Sequence, residues 1–329
     1  MKRTSGSVAL GSIVLLIASI LCSVVFAQSG APYPSKPIRF LVPFAPGGVG
    51  DLTARVIAHK MSENMGQQVV VDNRPSAGMI VSADMTLKAE PDGYTMVLSG
   101  NGTAVSVSLF KALPYDPLVD FAQVSTLAFF DLLLVTGPNS KFNSMADVLV
   151  FARSNPGKLD IGTVSIGSTQ NLSAELFRSM AGIDAQIIPF KATPALLNAM
   201  RANDVHLVFE FIGPLMPQIK NNTVKPLAIS SNRRSAMFPD VPTLDESGVP
   251  GFQVASWNAV SVHAKTPRAI VERLSKEVAA ATNSPDVKEK LQLLGMDARA
   301  MTPEQTHKLM AAEITKWKSV IERAKIPLQ

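Results

Sequence analysis

Cysteine is almost missing from this chain: Cys22 is the single one among 329 residues. It lies inside an apolar run, Val8–Ala27, that follows Lys2 and Arg3 and closes on Val25-Phe-Ala27. A basic start, an apolar stretch and a cleavable end describe a secretory signal peptide over residues 1–27, with cleavage expected between Ala27 and Gln28. An uncleaved anchor is the alternative, since the run approaches bilayer-spanning length. Ala27 and the polar, proline-rich Gln28–Pro37 segment favour cleavage. Leu21 is too bulky for lipid attachment at Cys22. The mature chain then has no thiol, hence no disulfide, cysteine nucleophile or cysteine metal site. No later run is apolar enough over sufficient length to span a membrane, so a soluble periplasmic protein is expected.

Charge is also sparse. The formal net charge is +5, and it falls to +3 when the leader takes Lys2 and Arg3 and no acidic residue with it. With no Lys/Arg cluster, nucleic-acid binding is excluded as a function class. The four histidines, His59, His206, His263 and His307, are scattered. There is no H-E-x-x-H pair and no Walker loop, and the serine loop after Gly162 misses the G-x-S-x-G spacing of a hydrolase nucleophile. No catalytic residue, no metal site and no cofactor is indicated, and an enzyme is not expected.

What is present is alternation. Strands are expected at Ile38–Phe44, Gln68–Asp72, Tyr94–Ser99, Leu132–Thr136, Leu159–Thr163, Gln186–Pro189, His206–Phe209, Pro226–Ser230 and Ala255–His263, with helices between them. Ser144-Met-Ala-Asp147 opens one helix as a capping box, and Leu172–Met180 stops at Gly182. This order argues for an α/β fold with mostly parallel sheets. After Lys265 three helices follow without strands, each introduced by a hydroxyl residue and proline: Thr266-Pro267, Ser284-Pro285 and Thr302-Pro303.

The most informative stretch is Pro43-Phe-Ala-Pro-Gly-Gly-Val-Gly-Asp51, directly after the apolar run Ile38–Val42. It reads as strand, glycine-rich turn and a helix opening at Asp51, whose apolar face is Ala54, Ile57, Ala58, Met61 and Met65. Free N–H groups at the positive end of that helix make an anion site. A tight turn without a ligand is the plain alternative.

Tyr33-Pro-Ser-Lys-Pro-Ile-Arg39, Pro43-Phe-Ala-Pro-Gly-Gly48 with Asp51, and Val70-Val-Asp-Asn-Arg-Pro75 with Gly78 form one group of motifs. Pro91-Asp-Gly-Tyr94, Leu113-Pro-Tyr-Asp-Pro117 with Asp120-Phe121, and Asn155-Pro-Gly-Lys158 form another. With Pro189-Phe-Lys191, Val241-Pro-Thr243 and Gly248-Val-Pro-Gly251, they resemble the periplasmic solute receptors of tripartite tricarboxylate transporters, the Bug receptors, over essentially the whole mature chain. The resemblance implies a type II periplasmic binding protein of two α/β lobes. Residues 28–128 and 255–329 would form one lobe and 129–254 the inserted one. The chain would cross near Phe129–Leu134 and return near Phe252–Val260, leaving a ligand cleft between the lobes.

Carried onto this chain, the resemblance implies that Phe44, Ala45, Gly47 and Gly48 hold a ligand carboxylate through backbone amides, with Phe44 on the wall. Asp51 is read as a helix cap. Asn101 and Thr103, in Ser99-Gly-Asn-Gly-Thr103, are donors or parts of an ordinary turn. In Gly162–Asn171, Ser165, Gly167, Ser168 and Thr169 repeat the logic of the first loop, and Ser168 matches the family's hydroxyl residue. Ser165 and Asn171 stand where the family usually has glycine and histidine. Lys191 matches a family lysine, while Ala192 replaces a glycine. Glu210 stands where aspartate is more usual, facing the ligand or pairing with Lys191. The implied function is capture of a small organic acid and delivery to the integral membrane permease subunits of a tripartite transporter, by a monomer. A sensor subunit for a membrane kinase and a periplasmic hydrolase are the alternatives.

Overall fold

The computed structural model describes residues 33–235 and 237–329, so the expected signal peptide lies outside the described residues. Elements run in the order β1 (Ile38–Val42), α1 (Val49–Met65), β2 (Val69–Asn73), α2 (Ile80–Lys88), β3 (Thr95–Gly100), α3 (Asn101–Leu109) and β4 (Phe121–Thr136). Then come α4 (Met145–Ser154), β5 (Leu159–Val164), α5 (Thr169–Met180), β6 (Ala185–Phe190), α6 (Thr193–Arg201), β7 (Leu207–Phe211), α7 (Ile212–Lys220) and β8 (Lys225–Ile229). The chain closes with β9 (Ala255–His263), α8 (Arg268–Asn283), α9 (Pro285–Leu293), β10 (Asp297–Ala298) and α10 (Pro303–Ala324). All of them belong to the compact unit Pro37–Gln329.

The early βαβ units build parallel pairs, β1 with β2 and β1 with β3. The strand β9 returns antiparallel to β3 and β4, which completes a sheet of order β2-β1-β3-β9-β4. A second sheet joins β7, β5 and β6 in parallel to the far end of β4. The long strand β4 therefore serves both sheets. Phe121–Asp131 pairs with β9, and Leu132–Thr136 pairs with β7 on one edge and β8 on the other.

The first half of β4 escapes the sequence pattern for a physical reason. Its register with β9 slips at Gln123/Ser125 and again at Thr126/Ala128. Each irregularity interrupts the period-two alternation by which a strand is recognised. The segment Asn101–Leu109 is also not an open turn but the helix α3. Its Val, Ser, Thr and Asn residues have weak helix propensity, and burial of Ala104, Val105 and Leu109 overrides it.

Caps hold two of the expected helix starts. The Ser144 hydroxyl accepts from Asp147 N–H at 3.2 Å, and Asp147 accepts from Ser144 N–H at 3.0 Å. The Thr302 hydroxyl likewise accepts from Gln305 N–H, with Pro303 as first helical residue. The Thr266-Pro267 signal is displaced by one: Pro267 itself is the N-cap of α8. The last helix buries Met310, Trp317, Val320 and Ile321 against the main core.

Candidate functional site

A cavity of about 840 Å3 opens where the two sheets meet, and helix N-termini from both converge on it. Gly48, Val49 and Gly50 bring the start of α1, Gly102 and Thr103 that of α3, and Ser168, Thr169 and Gln170 that of α5. Thr193 opens α6, and Gly213 and Pro214 lie in the first turn of α7. First-turn N–H groups have no intrahelical partner, and the helix dipoles add positive potential at the same point. No Lys or Arg lines the cavity among the described residues, so the positive field comes from neutral donors. Its walls are apolar, with Phe44, Leu98, Phe130, Phe211, Leu294 and Met296.

A cavity of about 710 Å3 lies against the opposite face of the crossing strands. Phe129 and Asp131 line it, whereas Phe130 between them faces the first cavity, as strand alternation requires. Arg233 and Arg299 both meet Asp297 there, and Lys316 meets Glu313. Each of these charges is held in an ion pair, and among the described residues only the start of α7, at Ile212, lines this cavity. The first cavity is the better candidate.

Of the residues expected from sequence, Phe44, Ala45, Gly47, Gly48, Thr103, Gly167, Ser168, Thr169 and Glu210 line this cavity. Asp51, Asn101, Ser165, Lys191 and Ala192 do not. Helix α1 begins at Val49, not at Asp51, and its N-cap is Gly48. The buried Asp51 carboxylate instead reaches back from the third helical position. It accepts from Gly47 N–H at 2.8 Å, Asn73 Nδ2 at 2.8 Å and Arg55 Nε at 3.0 Å. Burial pushes its acidity down, but the hydrogen bonds from Arg55, Gly47 and Asn73 outweigh that and hold the carboxyl below its ordinary pKa. Ser165 spends its N–H on Phe190 O and its carbonyl on Ser168 N–H. Lys191 and Ala192 are exposed beside α6.

Ser168 is the N-cap of α5. Its Oγ accepts from Asn171 N–H at 3.1 Å while its own proton goes to Val164 O at 2.8 Å. Asn171 completes the loop by accepting from Gly167 N–H at 3.1 Å. That hydroxyl is engaged within the loop. Its neighbour differs: Thr169 Oγ1 accepts from Asn101 Nδ2 at 2.8 Å, and its proton finds no acceptor among the described residues.

Glu210 is the only acidic side chain on the wall among the described residues, and it is 1% exposed. Gln170 Nε2 and Phe211 N–H donate to one oxygen at 2.9 and 2.8 Å, and Thr193 Oγ1 donates to the other at 2.6 Å. Its partners are these three and not Lys191. Burial raises its pKa despite those donors. Sequence reasoning missed Gln170, Thr193, Gly213 and Pro214. The Thr193-Pro194 pair carries the same helix-start signal as the C-terminal helices and was the available clue.

This architecture has known counterparts. The profile of the tripartite tricarboxylate transporter family receptors matches residues 53–326. The chain belongs to that family. Protein BugT of Bordetella pertussis is 36% identical over 299 residues, spanning 89% of this chain and 90% of BugT. Among solved structures, R. palustris Rpa4515 with adipate is 32% identical with a TM-score of 0.79, covering 90% of this chain and all of that one. MatC from Rhodopseudomonas palustris with bound malate is 30% identical with a TM-score of 0.73, covering 88% of this chain and 100% of its own. The receptor is thus a periplasmic solute-binding protein of α/β fold, and a binding protein and not an enzyme.

Proposed function

We propose that this receptor captures a small dicarboxylate with an apolar mid-section and passes it to the membrane subunits of a tripartite transporter. The observation that carries the reading is the convergence of five helix starts on a cavity lined by no cation among the described residues. Carboxylates then meet oriented N–H and O–H donors, and the apolar walls accept the carbon chain between them. The adipate and malate of two relatives support the ligand class.

In this reading, residues 28–128 with 255–329 form one lobe and 129–254 the other, and the chain acts as a monomer. A ligand touching α1 on one side and α5 on the other stabilises the closed state, because closure completes its hydrogen bonds and excludes water. Phe44, Ala45 and Gly48 serve one carboxylate, and Thr169 with the α5 amides serves the other. The leader Met1–Ala27 directs the chain to the periplasm. Sequencing the mature N-terminus tests export: Gln28 or a close neighbour is expected, and Met1 on a membrane-bound product overturns it.

The deciding experiment is a thermal-shift screen of the mature chain against organic acids, followed by titration calorimetry. A ligand that binds only the native state raises its melting temperature. Linear dicarboxylates are expected to do so and neutral sugars are not. Stabilisation by sugars with no response to any carboxylate defeats the proposal.

A further inference from the structure

Behind the cavity wall, three buried side chains form a hydrogen-bonded row that joins three helices. Trp317 Nε1 on α10 donates to Asn101 Oδ1 on α3 at 2.7 Å. Asn101 Nδ2 donates to Thr169 Oγ1 on α5 at 2.8 Å. Trp317 and Asn101 are 0% exposed and Thr169 is 9% exposed.

Chemistry alone sets the direction of this row. An indole N–H can only donate, so the Asn101 oxygen must face it. The Asn101 amide then turns its NH2 to Thr169, whose oxygen must accept. The Thr169 proton is left to point elsewhere, and the residue lines the cavity. Accepting from Asn101 uses one of the two lone pairs of Thr169, and its proton is kept for a partner other than Asn101.

We propose that Asn101 is a positioning residue that keeps the Thr169 proton available as a donor toward the cleft, with Trp317 locking the amide. Thr169 thereby offers its proton to an acceptor, a carboxylate, at the α5 end. This deepens the carboxylate reading given above and rests on it.

The test uses the mature chain with adipate and malate as probes, by titration calorimetry, and urea unfolding of every variant. Thr169→Val removes the donor and should raise the dissociation constant about tenfold or more, as expected for a hydrogen bond to a charged group. Thr169→Ser should restore affinity to within about threefold, well inside one power of ten.

Asn101→Asp is the sharper probe. It keeps an oxygen for Trp317 but presents a second one to Thr169, which must then donate away from the ligand. Burial will raise the pKa of the introduced carboxyl. Once protonated it donates to Thr169 and restores the original polarity. The variant-to-wild-type ratio of dissociation constants should therefore exceed tenfold near pH 8 and fall toward one near pH 5. Taking the ratio cancels titration of the ligand and of Glu210, the one charged side chain on the cavity wall among the described residues.

A ratio that stays constant with pH, or full affinity in Thr169→Val, overturns the proposal while leaving carboxylate capture intact. A wild-type receptor that binds no acid overturns the functional reading, and this inference falls with it. A purely structural role for Asn101 would lower urea stability without any pH-dependent recovery of affinity.

Discussion

Leu109 occupies the space that a side chain at Gly167 would need: a Cβ there would lie 2.3 Å from Leu109 Cδ2. Gly167 also has φ +78°, a region that favours glycine. The end of α3 and the loop before α5 are therefore packed directly together, with Gly167 on the cavity wall.

Gly167→Ala should for these two reasons lower stability by about 1–3 kcal/mol, by denaturant unfolding. Combining it with Leu109→Ala relieves the collision but not the backbone strain. The double variant should be more stable than the two single losses added together predict. Strict additivity would mean that the two residues do not touch in solution.

Ser168→Ala removes the cap of α5 and should cost about 0.5–2 kcal/mol of stability. Its hydroxyl proton is already given to Val164 O, so ligand affinity should stay close to wild type. A tenfold loss of affinity with unchanged stability would put Ser168 in contact with ligand instead.

Glu210 bears on pH dependence, and its sign follows from burial, which raises its pKa in the folded state. Between its unfolded and folded values the native state binds more protons, so stability falls as pH rises through that window. Glu210→Gln keeps the acceptor for Gln170 and Phe211 N–H and never ionises. Relative to wild type it should gain stability as pH rises, in melting curves taken across the acid-to-neutral range. A parallel pair of curves would count against a buried carboxylate.

Asp51 has the opposite sign. Its depressed pKa contributes stability above the unfolded value that is lost as pH falls through the folded one. Asp51→Asn breaks a charged acceptor for Gly47, Asn73 and Arg55 and should cost about 1–3 kcal/mol at neutral pH. The same variant should lose less on acidification than wild type does. An unchanged acid slope would show that the network does not hold the charge.

Local signals in the sequence carried the strand–helix order, the capping box at Ser144, the cap at Thr302 and the glycine-rich junction after β1. Each depends on neighbours within a few residues, where backbone dihedrals and side-chain caps act directly. That Phe44–Gly48 and Gly167–Thr169 lie at strand-to-helix junctions was legible for the same reason. Tertiary structure decided the rest. Whether a hydroxyl faces ligand or backbone depends on which partner arrives from elsewhere in the chain. Adjacent Ser168 and Thr169 diverge because Val164 takes one proton and Asn101 meets the other oxygen. Glu210 lies far from Gln170 and Thr193 in sequence, and only the pairing of β7 with β4 and β5 brings them around one carboxylate. Composition and short-range pattern thus determined the α/β class and where helices would open. Packing across the sheets determined which donors remain free.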